Sequence, residues 1–200
     1  MKGLEIVPFA GFILLVALIS ARIILLKKRG VKVSSQNENP PGYMRILYPV
    51  FFLLLLVWIF ELAKPVFQFQ FFILNHQLTA PLVSSVFLKI SGAFLTVLSL
   101  VFMTLTLLHF KTSLRFGLNE DNRGMLITDG IFSHSRNPFF LSIILYFTGT
   151  MLVFPNWFFI GFALLATVSI HFFILKEEKF MLQHYGNSYR EYRKTVRRYF

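Results

Sequence analysis

From residue 6 to residue 26 the chain carries one charge, Arg22, and shows no alternation of polar and apolar positions. Comparable apolar runs cover residues 46–63, 82–110, 139–154 and 157–175. About 20 apolar residues rising 1.5 Å each cross a hydrocarbon core of roughly 30 Å. The runs therefore predict an all-α, multi-pass membrane protein of about five spans. The third is long enough to tilt or to project beyond the bilayer.

The segments between the runs are of different kinds. Residues 27–45 form a polar linker in which Pro40-Pro41-Gly42 marks a turn. Residues 64–81, "KPVFQFQFFILNHQLTAP", are too interrupted by Gln and Asn to span, and their aromatic content suits a loop or short helix at the lipid–water boundary. Residues 111–137 are polar. Pro155-Asn156 separates the last two runs so closely that they predict a tight helical hairpin, and a charged, aromatic tail follows with Gly186 as its break. The chain thus divides into three N-terminal spans, residues 1–110, and a C-terminal region, residues 111–200, holding a polar loop, the hairpin and the tail.

Charge sharpens this picture. The net charge of +11 could suggest nucleic acid, but the basic residues fall between apolar runs, as the positive-inside bias requires. With five spans, sixteen of the twenty Lys and Arg lie on one side, in residues 27–45, 111–137 and 176–200. The expected topology has the N-terminus outside and the C-terminus cytoplasmic. Lys27-Lys28-Arg29 follow the first run rather than preceding it, which argues for a retained span over a cleaved signal. The chain has no cysteine, so thiol nucleophiles and Cys-based zinc sites are excluded. Its five histidines lack metal-ligand spacing, and no metal site is expected. Nucleotide-binding loops of the GxGxxG or Walker type and the G-x-S-x-G elbow are likewise missing.

Candidate chemistry gathers at "LITDGIFSHSRNPFFLS", residues 126–142, a dense polar string set directly against an apolar run. Asn137-Pro138 reads as a helix start, with Asn as N-cap and Pro at the first helical position. The amides that follow, at Phe139 and Phe140, mark an end where the helix dipole favours an anion. Arg136 adds a forked donor suited to carboxylate or phosphate. At the end of the last run, the adjacent carboxylates of Glu177 and Glu178 call for a cation, which Lys176, Lys179 or a ligand can supply. If the hairpin packs as drawn, these two patches flank one pocket suited to a zwitterion, with Phe132, Phe139 and Phe140 available to face a sulfonium.

"LITDGIFSHSRNPFF" resembles the Leu-Val-Thr-x-Gly-x-Tyr-x-x-x-Arg-His/Asn-Pro-x-Tyr segment of the isoprenylcysteine carboxyl methyltransferase family and its prokaryotic relatives. "EEKFMLQHYGNSYREYRKTVRRYF" resembles that family's Glu-Glu-x-x-Leu-x-x-x-Phe-Gly-x-x-Tyr-x-x-Tyr tail, and the two stand in the family's order. The resemblance covers roughly the C-terminal half. It implies a membrane methyltransferase using S-adenosylmethionine at the cytoplasmic end of the last helices. By motif position, cofactor contacts fall to Gly124, Met125, Leu126, Ile127, Phe132, Asn137, Pro138, Phe139, Phe140, Glu177 and Glu178, and the catalytic positions to Arg136 and Asn137. The chain departs from the family where Asn137 replaces the commoner His, Phe140 replaces Tyr, and Phe173 stands where eukaryotic members have a substrate-binding Arg.

The implied reaction moves a methyl group to an amphiphilic acceptor arriving from the bilayer. A carboxylate, such as that of a prenylated cysteine, is ionised at neutral pH and needs no general base, which suits a site without the His. A phospholipid amine and a hydrophobic thiol remain open as acceptors. The competing enzyme class is an NADPH-dependent membrane sterol-type reductase, whose C-terminal half resembles the same family.

Overall fold

The computed structural model describes residues 2–30, 44–110 and 126–199, all helix and connecting loop with no strand among them. Five apolar helices stand where the runs predict them: α1 (Ile6–Lys28), α2 (Met44–Phe67), α4 (Val86–His109), α5 (Pro138–Val153) and α6 (Trp157–Thr195). A single helical turn, α3 (His76–Thr79), capped by Asn75, lies in the aromatic segment after α2. α1, α2, α4 and α6 are long and apolar enough to cross a membrane, whereas α5 has 16 residues. At 1.5 Å per residue α5 extends about 24 Å, short of a full hydrocarbon core. The apolar part of α6 ends at Leu175. From Lys176 onward the same helix is charged, stands outside the spanning stretch, and kinks at Gly186 (φ 53°).

α4 starts four residues later than the hydropathy pattern suggests, because Ser85 caps it and its hydroxyl accepts from the Leu88 amide. The residues before it turn away, and the Leu82 amide donates to the Pro155 carbonyl in the turn between α5 and α6. That turn is the predicted hairpin turn, with Asn156 accepting from the Phe159 amide to cap α6.

The most extensive helix contact is between α4 and α5. In lipid, helix association depends on close packing, and small residues permit it. The buried face of α4 carries Gly92, Ala93, Thr96 and Ser99. A Cβ on Gly92 would stand 2.5 Å from the Gly149 carbonyl oxygen of α5, and one on Gly149 would stand 2.7 Å from the Gly92 oxygen. A second contact centre is aromatic: Trp58 of α2, 1% exposed, packs against Tyr146 and Phe147 of α5 and Phe159 and Phe162 of α6. Tyr146 adds a hydroxyl bond to the Pro8 carbonyl of α1 at 2.8 Å. The outward faces, with residues such as Leu53, Phe87, Phe94, Leu164 and Phe172, are left to lipid.

Because backbone atoms, which cannot step aside, face Gly92, Gly92→Leu should lower stability by about 3 kcal/mol, the upper end of overpacking costs. Gly161→Leu on α6, where nothing lies within 4 Å of the new Cβ, should leave stability unchanged. Thermal unfolding of both variants in detergent checks the contrast.

Candidate functional site

The polar string is held in place from both sides. On one side is α4. Gly130 has φ +62°, and a Cβ there would collide with the His109 ring at the end of that helix, so only glycine fits. A short 3-10 turn over Gly130–Ser133 follows, and Phe132 packs its ring on Phe110 at 5.0 Å between centroids.

On the other side is the tail, which returns from the kink at Gly186 and lies along the string. Tyr192 donates its hydroxyl to the Phe132 carbonyl at 2.6 Å, and the Arg136 amide donates to the Arg197 carbonyl at 3.0 Å. Ser135 Oγ and Asn137 Nδ2 both donate to the Arg198 carbonyl at 3.3 Å. Leu126 joins Tyr189, Tyr192 and Val196 in a small apolar cluster beneath this contact. Burial first, then the charge of Glu178, pushes the Tyr189 phenol up to about 12.

Glu178 sits at the centre. Its residue is 5% exposed, and both carboxylate oxygens are taken. Arg136 Nη2 donates to Oε1 at 2.8 Å, while Arg198 donates through Nε to Oε1 at 3.1 Å and through Nη2 to Oε2 at 2.9 Å. Burial pushes this carboxyl up, but the hydrogen bond from Arg198 and the charges of Arg136 and Arg198 outweigh it. The net result holds Glu178 below its ordinary value. A lowered carboxyl stabilises the fold at neutral pH, and that contribution is lost only in acid, below the usual carboxylate range near 4.

The expected residues therefore take different roles. Arg136 lends its fork to Glu178 and, through Nη1, to the Arg193 carbonyl at 3.1 Å; only its buried Nε has no partner among the described residues. Asn137 occupies the N-cap position before Pro138 at the helix start, but its side chain makes no cap and turns to Arg198 instead. Glu177, half-buried beside Glu178, makes no ion pair among the described residues. Desolvation, reinforced by the neighbouring Glu178 charge, pushes it up to about 7. Phe139 and Phe140 stand edge to face at 5.5 Å, and Phe140 meets Phe173 of α6 at 5.3 Å, so the rim facing the bilayer is aromatic. Ile127 is half-buried. Gly124 and Met125 lie outside the described residues. His171 and Tyr199, which share a 2.9 Å hydrogen bond, extend the tail's contact back to α6.

Removing one member of a buried ion network leaves the others uncompensated, at a cost of about 3 kcal/mol or more. Glu178→Ala should lose that much stability and release the tail. Arg198→Ala should lose less, because the Arg198 side chain is 28% exposed. Limited proteolysis read at residues 187–199, with thermal unfolding alongside, tests the ranking.

The family model described as phospholipid methyltransferase matches residues 82–188, more than half of the chain. The protein-S-isoprenylcysteine O-methyltransferase of Schizosaccharomyces pombe is 33% identical over 81 residues, 39% of this chain. That alignment covers 33% of the relative, so the chain matches about a third of its length. No solved structure matches. The matched region runs from the start of α4 through the Arg136 string and the glutamate pair to the kink in α6, and the chain belongs to the phospholipid methyltransferase family, in keeping with the isoprenylcysteine carboxyl methyltransferase resemblance of its C-terminal motifs.

Proposed function

We propose that the protein is an S-adenosylmethionine-dependent methyltransferase acting at the membrane surface, with its cofactor held at the end of the bundle that carries Arg136 and Glu177. The observation that carries this reading is the state of Glu177. A half-buried carboxyl that makes no ion pair among the described residues, beside a carboxylate already paired with two arginines, is placed to take a cation, and burial pushes it up to about 7. An amino-acid headgroup brings an ammonium for Glu177 and a carboxylate for the orphaned Nε of Arg136 and the helix start at Asn137-Pro138. The donor set thus fits a zwitterionic cofactor.

S-adenosylmethionine supplies, when bound, a methyl group made electrophilic by its sulfonium. The residues of this chain do the rest. Glu177 binds a cation once it is ionised. Arg136 and Arg198 fix Glu178, which fixes the loop. Leu126, Ile127 and Phe132 supply apolar surface beside the network, and the Phe139-Phe140-Phe173 rim is the side from which an amphiphile would enter from the bilayer. Methyl transfer asks for an acceptor atom held about 3 Å from the methyl carbon. The basic-residue count supports a cytoplasmic location for this end.

The acceptor we favour is a carboxylate of the prenylated-cysteine kind. It needs no general base, and the name of the fungal relative supports it. With labelled S-adenosylmethionine and prenylcysteine, phosphatidylethanolamine or a hydrophobic thiol as acceptors, label should enter prenylcysteine and be released by mild base, as a methyl ester requires. Base-stable label in the amine or thiol instead would reject the carboxylate and keep the methyltransferase.

Cofactor binding carries a pH signature. The raised carboxyl must lose its proton to accept the ammonium, so affinity for S-adenosylhomocysteine should rise with pH through about 7. It should be about tenfold weaker at pH 6 than at pH 8. In the ligand-free protein the sign is opposite: the raised Glu177 carboxyl costs stability as pH rises from its ordinary value of 4.5 to about 7, and no more above that. Glu177→Gln should bind about tenfold or more weakly, the loss of a charge-assisted bond, and without the pH slope. Calorimetry in detergent reads both; unchanged affinity in the variant rejects the assignment.

A further inference from the structure

At the end of the bundle away from Arg136, Glu5 just before α1, the end of α2, the segment joining it to α4, the start of α4 and the turn between α5 and α6 line a cleft of about 430 Å³. Its charged lining consists of Glu5, Glu61, Lys64 and Lys89, with Phe72 and His76 beside them. Lys89 of α4 pairs with Glu5 at the start of α1. Glu61 of α2 is less well served. Its side chain is 4% exposed, and Lys64 Nζ stands 3.7 Å from Oε2, too far for a hydrogen bond. The other oxygen, Oε1, is buried and has no hydrogen-bond partner among the described residues. Lys64 itself is drawn to the face of the Phe72 ring, 3.8 Å from its centroid. A buried carboxylate with a donorless oxygen is costly unless something supplies the donor.

The surroundings indicate where that donor comes from. The segment after α2 exposes Phe69, Phe71, Phe72 and Ile73, an aromatic belt of the kind that sits at headgroup level. The cleft therefore opens among lipid headgroups. A ligand matching it needs an N–H-bearing cation for Glu61 and an anionic group for Lys64 and Lys89. We propose that this cleft holds a phosphoethanolamine headgroup, its ammonium donating to Glu61 Oε1 and its phosphate facing the two lysines. A trimethylammonium group has no N–H to donate and would leave Oε1 unsatisfied. The site is separate from methyl transfer: α5 lies between the two ends and extends about 24 Å. It does not rest on the proposed function.

Native mass spectrometry of the 200-residue chain in detergent tests it, with short-chain phosphatidylethanolamine, the matching phosphatidylcholine, and soluble glycerophosphoethanolamine as probes. Wild-type protein should retain phosphatidylethanolamine about tenfold better than phosphatidylcholine, the worth of one charge-assisted bond. Glu61→Gln should abolish that preference while its affinity for S-adenosylhomocysteine stays at the wild-type value. Retention of the soluble probe as well supports the headgroup chemistry alone, and retention of the lipid only supports a bilayer source. Equal retention of the two lipids by wild-type protein, or an undiminished preference in Glu61→Gln, overturns the proposal. Equal wild-type retention overturns the proposal without any variant, and loss of the preference in Glu61→Gln assigns it to this cleft and not to the Arg136 end.

Discussion

A buried carboxylate needs its charge answered on the spot, and Glu178 meets that need with two arginines from distant parts of the chain. Arg136 comes from the loop before α5, 42 residues earlier, and Arg198 from the tail, 20 residues later. Neither guanidinium can move away without leaving a charge uncompensated in a desolvated place. The loop, the emerging end of α6 and the tail are thereby locked together. Glu177, one residue along, is raised first by its own burial and then by the charge that Glu178 keeps beside it.

The bundle then reads as a scaffold with two polar ends. The close approach of α4 and α5 at Gly92 and Gly149, together with the aromatic contacts around Trp58, fixes the helices relative to one another. One end carries the Glu178 network and the half-buried Glu177. The other carries the cleft around Glu61. At each end an acid near the membrane boundary is short of a partner among the described residues: Glu177 makes no ion pair, and Glu61 Oε1 has no donor. Intramembrane and boundary carboxylates are costly enough that such gaps point to ligands.

The spans were legible in the sequence because lipid asks for continuous hydrophobicity, and the hairpin turn was legible because Asn156 is a true cap. Gly186 was readable as a break and is one. The small-residue face of α4, Gly92, Ala93, Thr96 and Ser99, is spaced for helix packing, but continuous hydrophobicity does not set it apart from the rest of the span. At the site, local rules succeeded and long-range pairing did not. The string before α5, the helix start and the glutamate pair do share one end of the bundle, yet Asn137 turns its side chain, and Arg136 its Nη2, to partners about 60 and 40 residues away. No spacing rule links Arg198 to Glu178, because the reversal at Gly186 that brings them together is a tertiary event. Arg198 also lies beyond the region that the family model matches. Only the unusual density of tyrosine and arginine in the last dozen residues hinted that the tail is folded rather than solvated.

The proposed cofactor site depends on the arginine clamp on Glu178. That dependence is tested most directly by a double-mutant cycle on S-adenosylhomocysteine affinity, with Glu178→Gln and Arg198→Ala alone and together. If the two act as one unit, the double variant should bind about as weakly as the weaker single variant, a coupling of about 1 kcal/mol or more. Losses that simply add, or single variants that bind as tightly as wild type, would contradict the account.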